Sequence, residues 1–149
     1  EAIQWAGWVW RGVAVWDKMN SRPQIGRFRQ QCEYIVWGSN GPLPTKRGVS
    51  VLPGLFQVPN VPTQDRWHQT QKPLALMQQV VRICEPGGTI IDPFAGSGST
   101  IVAALCEGYK AVGIEQEAHY IDIIRRRMQN VQLRMVLPDT TLQSRIEGI

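Results

Sequence analysis

The stretch Asp92-Pro93-Phe94-Ala95-Gly96-Ser97-Gly98-Ser99-Thr100 limits the fold of this chain more than any other. The turn signal Pro86-Gly87-Gly88 and the apolar run Thr89-Ile90-Ile91 precede it, and the alanine-rich run Ile101-Val102-Ala103-Ala104-Leu105-Cys106 follows. That order predicts a buried strand, a tight glycine turn and a helix. Pro93 stops the strand, while Gly96 and Gly98 let the backbone turn sharply and approach a ligand. Ser99 and Thr100 are placed to cap the helix, whose first N–H groups point into the turn. A nucleotide-like ligand suits such a turn, although the same pattern also occurs in α/β proteins that bind nothing there.

The next elements narrow the ligand. Lys110-Ala111-Val112-Gly113-Ile114 predicts a second buried strand, ending at Glu115, 19 residues beyond Gly96. An acid about 20 residues after the glycines is where ribose hydroxyls are held in such folds. A dinucleotide site would want G-x-G-x-x-G, and Ile101 stands at the third glycine position. Asp92 would also repel a pyrophosphate. A cofactor with an ammonium end fits a carboxylate there, and S-adenosylmethionine has that end, a ribose for Glu115 and an adenine for apolar walls.

Composition adds bounds. A chain of 149 residues is one domain or part of one. A net charge of +4 suits an anionic partner without requiring one. Six Trp call for burial or an interface, and Cys32, Cys84 and Cys106 form no C-x-x-C pair, which points to reduced packing residues in a reducing cytoplasm rather than a metal site. No signal peptide, membrane span, repeat or low-complexity run is present in the sequence.

Taken in order, Glu1 to Ala6 predicts the tail of a helix ended by Gly7. Trp8 to Trp16 and Glu33 to Trp37 predict two strands, paired as an antiparallel hairpin across a long basic loop with Lys18, Arg22, Arg27 and Arg29. Gly41 to Arg66 has five prolines, Lys46, Arg47 and Arg66, and no hydrophobic period. It is either a surface linker or a loop that reads a ligand. His68-Gln69-Thr70-Gln71-Lys72-Pro73 leads into a helix with Leu74, Met77, Val80 and Val81 on one stripe. Ala118 to Met128 predicts another helix, with Tyr120, Ile121, Ile124 and Met128 inward. Arg125-Arg126-Arg127 near its end complements the helix dipole, with a phosphate clamp as the alternative. Val131 to Val136 is expected as a short strand, and the chain from Pro138 as a polar tail. Four regions result: strands of a catalytic half (1–40), a variable recognition or linker loop (41–67), a cofactor-binding half (68–137) and the tail (138–149).

Together these stretches resemble the amino-group DNA methyltransferases of the circularly permuted (β) order, phage and prophage-like adenine methylases in particular. The likeness is carried by Ala6-Gly7-Trp8-Val9-Trp10-Arg11-Gly12, Val15-Trp16-Asp17-Lys18, Gln31 to Gly38, His68 to Pro73, Ile91 to Thr100, and Gly113-Ile114-Glu115 with Tyr120 and Arg127. The resemblance implies an α/β, Rossmann-like S-adenosylmethionine-dependent fold. Asp92, Phe94, Ala95, Gly96 and Gly98 would wrap the methionine end of the cofactor, and Glu115 would hold the ribose. Thr70, Lys72 and Pro73 would close the pocket from the other side. Lys18, Arg22, Arg27, Arg29, Lys46, Arg47 and Arg66 would contact double-stranded DNA, with the target base swung out of the duplex. The reaction implied is methyl transfer to an exocyclic amine, N6 of adenine before N4 of cytosine, in a bacterial or phage-infected cytoplasm.

The family's catalytic signature, an acidic or small polar residue followed by Pro-Pro and an aromatic, is absent from this sequence. Asp92-Pro93-Phe94 is not that signature, because the glycines after it mark the donor loop. In the permuted order the signature precedes everything present here, so a segment before Glu1 is expected to be missing. The signature's hydrogen-bond acceptors and stacking aromatic position a poorly nucleophilic amine. The chain alone is therefore expected to transfer no methyl group. The sheet should lack its central strands and expose an inner edge, inviting a partner segment, strand exchange between copies or a rearranged closure. A nicotinamide or flavin oxidoreductase and a non-catalytic DNA-binding remnant stand as the rival functions.

Overall fold

The computed structural model describes residues 2–21, 23–67 and 71–136. The chain starts with the short helix α1, Ala2–Trp5. Gly7 ends it at φ +79°, its N–H donating to the Gln4 carbonyl. Two strands follow, β1 (Val9–Asp17) and β2 (Cys32–Ser39), paired antiparallel as expected, with Val13 opposite Val36 and Trp16 opposite Glu33.

A third strand, β3 (Leu55–Gln57), runs parallel to β1 along its other edge, inside the segment expected to hold no regular element. Its three residues are too few to announce a period, and Pro53 and Pro59 flank it. The pairing comes from β1, opposite Val15 to Asp17. Phe56 and Val58 are nevertheless buried on alternate positions, as a half-covered strand requires. They form a core with Trp16 and Leu76, flanked by Ala14, Ile35 and Val80. The Trp16 indole Nε1–H donates to the Val58 carbonyl at 2.8 Å, satisfying the polar edge of a side chain that is only 2% exposed.

The helix α2 (Leu74–Val81) brings Leu76 and Val80 to this core. Its deepest residues are Leu76 and Val81, so the expected stripe through Leu74 and Met77 is rotated toward a neighbour on its second side. That neighbour is α3 (Ser99–Cys106), which also packs against α4 (Ala118–Val136), β4 (Thr89–Asp92) and β5 (Lys110–Gly113). Contact on so many sides explains why Ile101, Val102, Ala103 and Ala104 are all buried. The helix α4 runs through Val136, where a strand was expected from Val131. No glycine or proline interrupts the sequence before Pro138, and Gln, Leu, Arg and Met favour helix. The expected tail from Pro138 lies outside the described residues.

β4 and β5 pair in parallel, Ile91 opposite Val112. The strands thus form two sheets, ordered β2-β1-β3 and β4-β5, with no ladder between them among the described residues. Among the described residues, each sheet has one face packed in a core and apolar side chains exposed on the other. Trp16, Ala14 and Ile35 face α2, while Val13, Tyr34, Val36 and Leu55 on the other face are exposed. Ala111 packs in the second core with Ala95, Ile101 and Ile124, while Ile91 and Val112 are exposed on the opposite face. A parallel pair is ordinarily covered on both faces. The expected incompleteness of the sheet is therefore visible as bare apolar faces and as outer edges of β2 and β4 that no described strand pairs.

Candidate functional site

The end of β4 and the glycine turn are fixed by a short run of hydrogen bonds. Asp92 accepts the Ile114 N–H at its carbonyl (2.9 Å) and the Phe94 N–H at Oδ1 (3.0 Å). Ala95 N–H donates to the Ile114 carbonyl at 2.9 Å, continuing the parallel pairing past the strand end. Gly96 sits at φ +51°, and its N–H donates to Glu115 Oε2 at 2.7 Å. Glu115 Oε1 accepts the Glu117 N–H at 3.0 Å. These bonds aim the acid.

The turn is braced from behind. Gly98, at φ +78°, is the cap of α3, where Ser99 or Thr100 was expected, and no side chain caps the helix. A Cβ on Gly98 would meet Ile124 Cγ1 at 2.7 Å, so α4 packs there only because the residue is glycine. Arg127 reaches in from α4 to the Ser97 carbonyl, with the Ser97 and Ser99 hydroxyls at 3.4 and 3.5 Å. Burial pushes the pKa of this guanidinium downward. Arg127 is thus neither a helix-dipole cation nor a phosphate clamp. It holds the back of the loop, and its place in an Arg-Arg-Arg run concealed that.

In front of the turn lies a cavity of about 680 Å³, within the ~300–1,000 Å³ usual for small-molecule sites. Lys72, Asp92, Phe94, Ala95, Gly96 and Glu115 all line it. Pro73 and Gly98 do not: Pro73 is buried at the start of α2, and Gly98 faces α4. Thr70 lies outside the described residues, as do His68 and Gln69.

Lys72 is the one cation among the described residues of the lining. Its Nζ stands 2.7 Å from Glu33 Oε2 on β2 and 5.4 Å from the Trp16 ring centroid. Lys18 reaches the other Glu33 oxygen at 3.6 Å. Burial works to raise the Glu33 pKa, but the Lys72 hydrogen bond and charge, with Lys18 added, outweigh it and hold the carboxyl below its ordinary value. Sequence reasoning missed Glu33, since nothing local in a strand shows that it will face a lysine 39 positions away.

The basic residues divide. Lys18 and Arg66 line a second cavity off the end of β1. Arg27 and Arg29 are exposed on the β1–β2 loop. Lys46 is exposed, and its neighbour Arg47 donates to the Ile83 carbonyl at 2.9 Å, past the far end of α2 from Lys72. Arg22 lies outside the described residues. Among the described residues no group of three metal-ligating side chains occurs, and no helix is long and apolar enough to cross a membrane.

A family model described as DNA methylase, of the N6/N4 type, matches residues 2–126. The chain belongs to this DNA methylase family. YubD of Escherichia coli (strain K12), a methylase by its description, is 35% identical over 109 residues, covering 72% of this chain and 45% of YubD. The type II methyltransferase M.BglI of Bacillus subtilis is 36% identical over 133 residues, 81% of this chain and 37% of that one. A solved complex of M1.HpyAVI with SAM superposes with a TM-score of 0.69 at 27% identity, over 85% of this chain and 65% of that one. The cytosine-N4-specific PvuII DNA methyltransferase shares the fold, with a TM-score of 0.67 at 20% identity over 90% and 60% of the two chains. This methylase chain spans only 37% to 50% of the curated relatives it matches.

Proposed function

We propose that this chain is the methyl-donor half of a DNA amino-methyltransferase and binds S-adenosylmethionine in the cavity before the glycine turn. The observation that carries this is the order of charges around one cavity: Asp92 at the strand end, Lys72 as the one cation among the described lining residues and Glu115 beyond Gly96. A methionine end carries an ammonium for a carboxylate and a carboxylate for an ammonium. Asp92 Oδ1 is engaged by the Phe94 N–H, which leaves Oδ2 to take the ammonium. Lys72, steadied by Glu33, is placed for the carboxylate. Glu115 takes the ribose hydroxyls, and Ile114 and Phe94 supply apolar wall. Open space beside the Gly96 α-carbon gives the ligand room to lie against the backbone. When bound, S-adenosylmethionine supplies an electrophilic methyl on a sulfonium. The residues of this chain hold that donor and exclude alternatives: two carboxylates in the lining oppose a pyrophosphate, against a nicotinamide or flavin reading.

The acceptor is an exocyclic amine of double-stranded DNA, N6 of adenine before N4 of cytosine, in a bacterial or phage-infected cytoplasm. The Pro-Pro-aromatic signature that would position it is not in this sequence. Methyl transfer then needs a further segment, seated on the bare edges of β2 and β4 and over Tyr34, Val36, Ile91 and Val112, or a second copy exchanging strands there. Calorimetry tests the donor reading. S-adenosylmethionine should bind the chain, and 5′-methylthioadenosine, which lacks the amino acid, should bind more weakly; no binding of either, or binding of NAD instead, refutes it. A radiolabelled methyl-transfer assay on the chain alone should stay at background.

The absent signature also favours a second reading, a non-catalytic DNA-binding remnant. Adding a signature-bearing segment of a relative in trans separates the two. Restored transfer supports the enzyme half, and its failure despite stable assembly supports the remnant.

A further inference from the structure

The second cavity, about 650 Å³ at the end of β1, is lined by Lys18, Asn20, Ser21, Asn60, Thr63 and Arg66, with no carboxylate among the described lining residues. Its polar groups are held ready. Met19 adopts φ +59°, uncommon for a side chain of its size, with its N–H on Asp17 Oδ1 at 2.8 Å. After that bend, Asn20 and Ser21 line the cavity. Arg66 is fixed by its Nε donating to the Val61 carbonyl at 2.8 Å. Asn60 Oδ1 accepts the Val61 N–H at 3.0 Å, leaving its amide N–H groups as donors. Ser21 Oγ is buried and has no hydrogen-bond partner among the described residues, a state that native interiors rarely tolerate without a ligand or water.

The two cavities also share a neighbour, Glu33. Lys18 lines the second and Lys72 the first, and both pair with Glu33. Arg66, Lys18 (shared with Glu33), and hydroxyl and amide donors, with no carboxylate among the described lining residues, complement an acceptor-only anion. Their place beside the donor cavity selects the anion. A nucleotide presented to the donor brings its own backbone along this side.

We propose that the second cavity holds one backbone phosphate of the DNA, next to the nucleotide presented at the cofactor cavity. This rests on the DNA reading above. It assigns Lys18, Ser21 and Arg66 to a single phosphate. Arg47, beyond the far end of α2, takes no part.

Binding of a fluorescent DNA duplex to the full chain, followed by anisotropy across a salt series, tests it. Each phosphate contact by a cation adds about one unit to the salt slope. Lys18→Gln should weaken binding about tenfold and reduce the slope by about one. Ser21→Ala should weaken binding a few-fold with the slope unchanged. Arg66→Gln should match Lys18→Gln, and Ser21→Ala stands in should loss of the Val61 bond unfold the loop. Wild-type affinity and slope in both Lys18→Gln and Ser21→Ala overturns the phosphate site while leaving the DNA reading intact. Failure of the wild-type chain to bind any duplex overturns both. Calorimetric uptake of inorganic phosphate that Lys18→Gln abolishes, with DNA affinity unchanged, identifies a free-anion site and also overturns it.

Discussion

Trp16 and Ile101 are each 2% exposed, yet they are buried by stretches of chain of very different reach. The partners of Ile101 come from Ala95 to Met128, a single run that includes the glycine turn, β5 and the start of α4. The partners of Trp16 come from as far as Phe56, Val58, Leu76 and Val80. The cofactor-side core closes over short loops and is set by a few glycines. The β1 core closes only after a proline-rich segment has crossed the molecule to lay β3 beside β1, a longer loop with a larger entropy of closure. Stability in the first should depend on backbone shape, and in the second on one large side chain.

The largest expected effect follows from that difference. Trp16→Ala should cost about 3–5 kcal/mol, as loss of a buried Trp does, read from urea unfolding. Because α2 brings Leu76 to the Trp16 core and packs α3 on its other side, both cores should be lost in one transition. Two separate transitions in the variant would break the comparison by showing that α2 does not couple them.

Next come the two loop glycines, which look alike in sequence. Gly98→Ala meets Ile124 at 2.7 Å from a backbone at φ +78°, whereas Gly96→Ala meets nothing within 4 Å at φ +51°. The first carries strain and overpacking together, about 2–4 kcal/mol; the second carries strain alone, about 1 kcal/mol. Equal losses in the same unfolding experiment would mean that α4 gives way and does not brace the turn.

The same contrast explains what could be read from the residues alone. The strand, turn and helix from Thr89 to Cys106 were legible because Pro93, Gly96 and Gly98 dictate them locally. So was the approach of Glu115 to Gly96, through the 19-residue offset between them. β3 was not legible, since Leu55–Gln57 becomes a strand only by pairing with β1. Nor was Gly98 as a brace rather than a ligand contact: that depends on where Ile124 of α4 falls. Arg127 and Glu33 were hidden for a similar reason. A charged residue on a helix or strand announces its charge, not the partner that folding brings to it. Of the six Trp, Trp16 is buried while Trp5, Trp8, Trp10 and Trp67 are exposed, so the Trp count did not tell which of them the core takes.

A smaller effect on folding, but a sharp one on binding, is expected at the cavity. Asp92→Asn and Glu115→Gln keep shape and remove charge. Each should weaken S-adenosylmethionine binding about tenfold, the scale of a hydrogen bond to a charged group. With 5′-methylthioadenosine the two should part: Glu115→Gln still costs affinity, because the ribose is present, and Asp92→Asn does not, because the ammonium is gone. Parallel losses with both ligands in calorimetry would show that the two acids shape the turn and do not divide the ligand between them.

The smallest effect joins the two regions. Glu33 on β2 pairs with Lys72 on the cofactor side, and its carboxyl pKa lies below the ordinary value. A depressed carboxylate stabilises the fold at pH above its unfolded value, and that contribution disappears as pH falls through the lower, folded value. The pair is partly exposed, so screening holds its worth to under about 1 kcal/mol. Glu33→Gln should therefore be slightly less stable than wild type at pH 7, with the difference closing as the pH is taken below the usual glutamate range. A gap of the same size at both ends of the titration would assign the loss to packing around Trp16, leaving Lys72 to be positioned by the cofactor cavity itself.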